Sequence, residues 1–229
     1  MRDYIPEGEG WQPTTLNDRW VIELVFKGKR NGFFVEAGAG DGEWGSSTWA
    51  LEKDFGWTGL LVEPVDYLFE KLKKTRPNSK CFNTCLYNEN KEVDFVQFGD
   101  KSLGVGGGVG YSGIPENWHA SRKVSKTTNH IYKKLKKQAM KLEKILEAIA
   151  TPRIIDYLAL DIESAEEKVL KNFPFDKYKF KAISVEGSVC AIYSILKPWG
   201  YEMVSNPFSE VAYEGYFVHK DFINITYNA

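Results

Sequence analysis

Acidic residues stand where short apolar runs end: Glu36 after Phe33-Phe34-Val35, Glu63 after Leu60-Leu61-Val62, Asp161 with Glu163 after Tyr157-Leu158-Ala159-Leu160, and Glu186 after Ala182-Ile183-Ser184-Val185. Runs of this length read as buried strands. In an open α/β sheet the ligand crevice lies outside the carboxyl ends of the strands, so these acids are expected to face one crevice. The first is followed by Gly38, Gly40, Asp41 and Gly42, and then by Ser46-Ser47-Thr48, which opens a helix. Such a turn lets a ligand approach bare backbone N–H groups at a helix N-terminus. A dinucleotide site needs Gly-x-Gly-x-x-Gly, and Glu43 stands where the last glycine would be. Glu36 and Asp41 would also repel a pyrophosphate. They suit a ligand with a cationic ammonium, such as S-adenosylmethionine, against the alternative of an ordinary strand-to-helix connection.

Glu63 follows the turn at about the 20-residue distance where a doubly wound sheet places the carboxylate that binds ribose hydroxyls. Asp161 and Glu163, one residue apart at a strand end, suit a general base, a hard cation such as Mg²⁺ or Mn²⁺ held through oxygen, or a cofactor's amino group. His119, beside Trp118, is a further candidate base, with packing or exposure as its alternative. Ser164 to Glu167 has the form of a capping box, which gives Glu167 a structural task.

The elements that must position these residues alternate. Residues 1–14 read as an extended lead-in, and Leu16, Trp20, Val21, Leu24 and Val25 recur at helical spacing. Helices are expected over Thr48–Phe55, from Asp66 to before Pro77, from Ser164 through Phe173 and over Val189–Leu196. Cys81-Phe82-Asn83 fits a third strand, and its exit at Cys85-Leu86-Tyr87 is placed to flank an adenine ring. Val93–Phe98 is expected as an extra strand. Residues 99–130 are rich in glycine without sustained periodicity, which suggests an acceptor-side lid or insertion. Residues 131–149 carry an apolar stripe at Ile131, Leu135, Ala139, Leu142, Ile145, Leu146 and Ile149 and are expected to be a helix with a lysine-rich outer side. Tyr201–Val204 and Gly215–Val218 are joined too closely for a crossover helix, hence antiparallel.

At 229 residues the chain suffices for one α/β domain, taken here as 1–229. Thirty basic residues against 31 acids give a formal charge of -1, which disfavours a polyanion partner. Cys81, Cys85 and Cys190 have no paired ligand spacing, so neither a disulfide framework nor a zinc site is expected. No run approaches the roughly 18 apolar residues of a membrane span, and a cytoplasmic location is the default.

Phe34 to Gly42, Ser47-Thr48 with Leu51-Glu52, Gly56-Trp57-Thr58-Gly59, Val62-Glu63-Pro64, Ser112-Gly113-Ile114 and Ile155 to Glu163 together resemble the FkbM family of S-adenosylmethionine-dependent methyltransferases. The resemblance implies a class I, Rossmann-like fold: a mostly parallel seven-stranded sheet with an antiparallel last strand and helices on both faces. By position it implies that Glu36, Gly38, Gly40 and Asp41 hold the methionine end of the cofactor and Glu63 the ribose. Ser47, Pro64, Cys85, Leu86 and Asp161 are expected around the same cofactor. Three positions depart from the family pattern: Glu36 for its usual Asp, Gly40 for its usual Asn, and Ser164 for its usual Gly. The implied reaction is O-methylation of a hydroxyl on a sugar or glycan, with a lipid, polyketide or other small metabolite as alternatives. A nucleic-acid methyltransferase using the lysine-rich segment and a non-catalytic domain with a decayed site are the competing readings.

Overall fold

The computed structural model describes residues 11, 16–99, 109–117 and 132–222. Most of the lead-in, most of the 99–130 segment and His119 lie outside the described residues. The chain opens with α1, a turn of α-helix over Asn17–Arg19 that runs on as a π-helical stretch over Trp20–Val25. Then come β1 (Phe33–Ala37), α2 (Trp49–Phe55), β2 (Thr58–Val62), α3 (Asp66–Thr75) and β3 (Lys80–Phe82). β4 (Cys85–Leu86), β5 (Lys91–Phe98), β6 (Tyr132–Met140) and α4 (Leu142–Ala148) follow. The last part holds β7 (Ile154–Leu160), α5 (Glu166–Lys171), β8 (Lys179–Glu186), α6 (Val189–Leu196), β9 (Tyr201–Val204) and β10 (Glu214–His219).

Seven strands form the main sheet in the order β3-β2-β1-β7-β8-β10-β9. Neighbours are parallel except β10, which runs antiparallel to both β8 and β9. This is the class I methyltransferase architecture that the sequence implies. Central strands are buried on both faces, which explains why β7 reads as an unbroken apolar run apart from Asp156. Alternate residues feed two layers. Val35, Leu60, Leu158 and Ile183 pack with Leu146 and Leu196 on one face, while Phe34, Leu61, Tyr157 and Ala182 pack with Trp20, Leu51 and Leu72 on the other. Strand order reverses between β1 and β7, so their carboxyl ends diverge into a crevice.

The helix expected over residues 131–149 does not form as one element. Residues 132–140 are a strand, and only Leu142–Ala148 is helical. Apolar residues four apart, Leu135 and Ala139, satisfy a helical face and a strand face equally, so periodicity alone could not decide. Pairing decides: β6 lies antiparallel to β5 from Lys91↔Ala139 to Phe98↔Tyr132, and β4 joins its other edge. This small sheet packs Phe95, Val93, Cys85 and Ala139 against Val65 and Leu68, at the start of α3. The strand expected over Val93–Phe98 is present, whereas Cys85-Leu86 belongs to this second sheet.

The capping box at α5 is also absent. Ala165 holds the cap position with no side-chain bond, and Glu167 instead pairs with Lys171 at 3.3 Å. Glu166 takes the structural part, its carboxylate accepting the Ile162 N–H at 2.8 Å. Among the described residues no helix is long and apolar enough to cross a membrane.

Candidate active site

The glycine turn leaves β1 and is fastened to both neighbouring strands. Gly38 and Ala39 N–H groups donate to the Val62 carbonyl at 3.0 and 3.1 Å, and Asp161 N–H donates to Ala37 at 3.1 Å. Gly38 has φ +82°, and a Cβ there would lie 1.8 Å from the Asp161 carbonyl oxygen, so no other residue fits. Gly40 differs. Its φ of +57° is left-handed, but a Cβ would meet nothing within 4 Å, so the family's Asn is accommodated there.

Glu36 lies behind the turn. One carboxylate oxygen accepts the Ser47 N–H at 2.7 Å, and the other accepts the Ser46 and Thr48 hydroxyls. Burial pushes its pKa up, although the Arg76 guanidinium stands 3.8 Å away. Arg76 is itself 1% exposed and donates to Glu52, the Gly42 carbonyl, Ser46 and Thr48. The loop following the turn is therefore moulded around a buried ionic centre. Ser47 belongs to the same support, its hydroxyl accepting from Asn17 at 3.1 Å. Asp41 folds onto its own turn, accepting the Glu43 and Trp44 N–H groups.

Glu63 lies on the cavity side of the turn. Its two oxygens accept Gly40 N–H at 2.9 Å and Val65 N–H at 2.7 Å, and burial pushes its pKa up to about 7. A carboxylate oxygen has two lone pairs, so each retains one for a ligand hydroxyl. The cavity next to it is lined by Gly38, Gly40, Glu63 and Pro64, by Leu68, Cys85, Leu86, Phe95 and Ile114, and by Asp161 and Glu163. Polar groups thus share the cavity with an apolar wall, as in small-molecule sites. Ile114 reaches this wall because Gly113 pairs with Val96 and the Ser112 hydroxyl accepts the Phe98 N–H. Cys85 and Leu86 stand at this wall as expected, whereas spacing offered no sign that Phe95 would join them.

Asp161, Glu163 and Glu186 bring carboxylate oxygens within 4.8 Å of one another. Asp161 is exposed to the cleft. Desolvation, followed by its hydrogen bond to Glu186 and repulsion from Glu186, Glu163 and Glu166, pushes its pKa well above its ordinary value. Glu163 and Ser164 have φ +60° and +80°, a left-handed corner that swings the chain from β7 to α5.

A model of the methyltransferase FkbM domain matches residues 36–203, well over half of the chain. The chain belongs to the FkbM methyltransferase family. This FkbM protein is accordingly an S-adenosylmethionine-dependent methyltransferase. Solved structures it resembles include a TehB-like S-adenosylmethionine-dependent methyltransferase from Corynebacterium glutamicum, 13% identical with a TM-score of 0.42 over 89% of this chain and 88% of that one. The METTL16 methyltransferase domain is 14% identical with a TM-score of 0.45, over 89% of this chain and 65% of that one. A Pyrococcus furiosus methyltransferase is 12% identical with a TM-score of 0.41, covering 94% and 87% respectively. Comparison with curated proteins gives no match.

Proposed function

We propose that this FkbM protein transfers the methyl group of S-adenosylmethionine to a hydroxyl oxygen of a sugar or glycan. The observation that carries the reading is that Asp161 and Glu163, whose oxygens lie within 4.8 Å of those of Glu186, line the same cavity as the Glu63 carboxylate and an apolar wall. In this reading Glu63 takes the ribose hydroxyls, Leu68, Cys85, Leu86, Phe95 and Ile114 enclose the adenine, and the turn at Gly38 and Gly40 faces the methionine end. Glu36, Ser47 and Asp41 act as positioning residues that shape this turn.

The acceptor oxygen attacks the methyl carbon in line, the C–S bond breaks, and its electron pair leaves on sulfur. Holding both reactants in that geometry can supply roughly 7–11 kcal/mol of the barrier. The acceptor proton passes to an ionised member of the Asp161, Glu163 and Glu186 cluster, whose oxygens lie within 4.8 Å of one another. Asp161, Glu163 and Glu186 are also hard oxygen donors of the kind that hold Mg²⁺ or Mn²⁺, which when bound would make the acceptor hydroxyl more acidic. Residues 1–229 act in this account as one domain, with 99–130 as the acceptor-side cover.

Incubation with S-adenosylmethionine and panels of glycosides, lipids and polyketide alcohols, read by mass spectrometry, tests the assignment. Appearance of an O-methylated glycoside is expected, and methylation confined to nitrogen, to RNA or to lipids would overturn it. A chelator arm and a His119→Ala arm separate the three candidates for proton removal. The lysines of β6 favour nucleic acid less than their number suggests, because Lys136 pairs with Asp94 and Lys137 with Asp66.

A further inference from the structure

A second cavity, of about 520 Å³, opens beside the first between α5, the start of α6 and the β9–β10 connection. The carboxylate cluster is the seam between the two. Asp161 and Glu163 line the first, Glu186 lines the second, and their oxygens lie within 4.8 Å. Its size is in the range of small-molecule sites.

Two side chains in its wall point to a ligand. Both amide atoms of Asn117 are buried and find no hydrogen-bond partner among the described residues. A buried polar group left unpaired costs roughly 1–3 kcal/mol, so a free amide is costly unless a ligand completes it. One donor beside one acceptor matches two vicinal hydroxyls. Tyr213 is 57% exposed at the rim, within electrostatic reach of Glu186, Asp161 and Tyr111. An exposed ring above a polar cavity offers the apolar C–H face of a pyranose a surface to stack on.

Charge narrows the class of ligand. The cavity's lysines are already engaged: Lys168 donates to the Tyr87 hydroxyl at 2.7 Å and pairs with Glu116, and Lys171 pairs with Glu167. Glu166 and Glu186 line the same cavity, and neither forms an ion pair among the described residues. An anionic ligand would meet Glu186, and Glu166, whose pKa burial pushes up to about 7, in its ionised fraction.

We infer that this second cavity is the acceptor subsite and that it selects an uncharged polyhydroxylated ring, with Asn117 pairing to vicinal hydroxyls and Tyr213 stacking on the ring. The inference rests on the O-methylation reading and assigns its acceptor side. Phosphorylated, sulfated and carboxylated sugars are disfavoured by Glu186 and by the ionised fraction of Glu166.

The test uses the full-length protein saturated with S-adenosylhomocysteine and saturation-transfer NMR. The probes are neutral methyl glycosides of gluco, galacto and manno configuration, with glucuronate and glucose 6-phosphate as anionic counterparts. At least one neutral glycoside is expected to bind, with the anions weaker by about tenfold or more. Asn117→Ala, Asn117→Asp and Tyr213→Ala should each weaken the neutral glycoside by about tenfold while S-adenosylhomocysteine affinity and melting temperature stay as in the parent. The Asp variant keeps the side chain's shape and loses its donor. Failure of every neutral glycoside to bind, equal binding of the anions, or parental glycoside binding by all three variants would overturn the subsite. Glycoside binding without any methyl transfer removes the O-methylation reading and leaves the subsite standing. Methyl transfer to a glycoside with unchanged KM in the variants does the opposite.

Discussion

Two buried carboxylates from adjacent strand ends, Glu36 and Glu63, have opposite assignments, and hydrogen bonding separates them. Glu36 gives its oxygens to Ser46, Ser47 and Thr48 beneath the turn, whereas Glu63 keeps lone pairs facing the cavity. Because burial pushes the Glu63 pKa up to about 7, acidification removes the acceptor that the proposed ribose contact uses. Affinity for S-adenosylmethionine should therefore weaken as pH falls from 8 to 6. Glu63→Gln should flatten that dependence and cost roughly 1.5–3 kcal/mol of binding, as calorimetry across this range can read. Had affinity proved indifferent to pH and to the substitution, the ribose assignment would fall. The glycines divide in the same way: Gly38→Ala should abolish cofactor binding through its collision with Asp161, while Gly40→Asn should retain it. Strand-end spacing made the place of Glu63 beside the cavity legible in the sequence. It could not show which acid would be enclosed by its own loop, because that depends on Arg76, distant in sequence and brought in by α3. Nothing local marks Arg76 as buried; it follows Lys73 and Lys74, which look like the same solvated helix end.

Among the elements, the parallel strands were the most legible because burial on both faces writes an apolar run that no surface helix shares. β6 was not, since its inward residues fit both periods and only its eight-residue register with β5 resolves them. The entry to α5 shows a different limit. Ser164 to Glu167 has capping-box chemistry, but the backbone is left-handed at Glu163 and Ser164 and the cap position falls to Ala165. A non-glycine residue in that region carries roughly 1–2 kcal/mol of strain, offset in a glycine variant by about 0.4–1 kcal/mol of added freedom in the unfolded chain. Ser164→Gly, the residue usual in the family, should thus stabilise the protein by up to about 1 kcal/mol in urea unfolding. A loss of stability would show that the Ser164 side chain contributes more than its backbone costs. Arg76→Met should act strongly in the other direction, about 3–5 kcal/mol, because Glu52 and Glu36 would be left charged and buried without their partner.

For the whole molecule, the site is built at the expense of stability at neutral pH. Glu63 and Glu214 are both buried with pKa values pushed up to about 7 by desolvation, so the folded state retains protons that the unfolded chain releases near 4.5. Their contribution is fully present below the unfolded value and is lost as pH rises through about 7, each unit of difference being worth about 1.4 kcal/mol. Asp156 opposes this at low pH. Burial alone would raise its pKa, but Lys181, Lys29 and the Phe33 N–H hold it below the ordinary value, so its contribution is lost on strong acidification. The ligand-free protein should consequently melt highest near pH 5 and lower at pH 8, unlike a protein whose paired carboxylates dominate. Saturating S-adenosylmethionine, which binds the folded state alone and places a sulfonium cation among these acids, should raise the melting temperature more at pH 8 than at pH 5. Thermal melts from pH 4 to 9 with and without the cofactor measure both effects, and Glu63→Gln should shallow the ligand-free slope. A melting temperature that climbs steadily to pH 8 without ligand would mean that the buried acids are hydrated in solution, and that the crevice is more open than the fold implies.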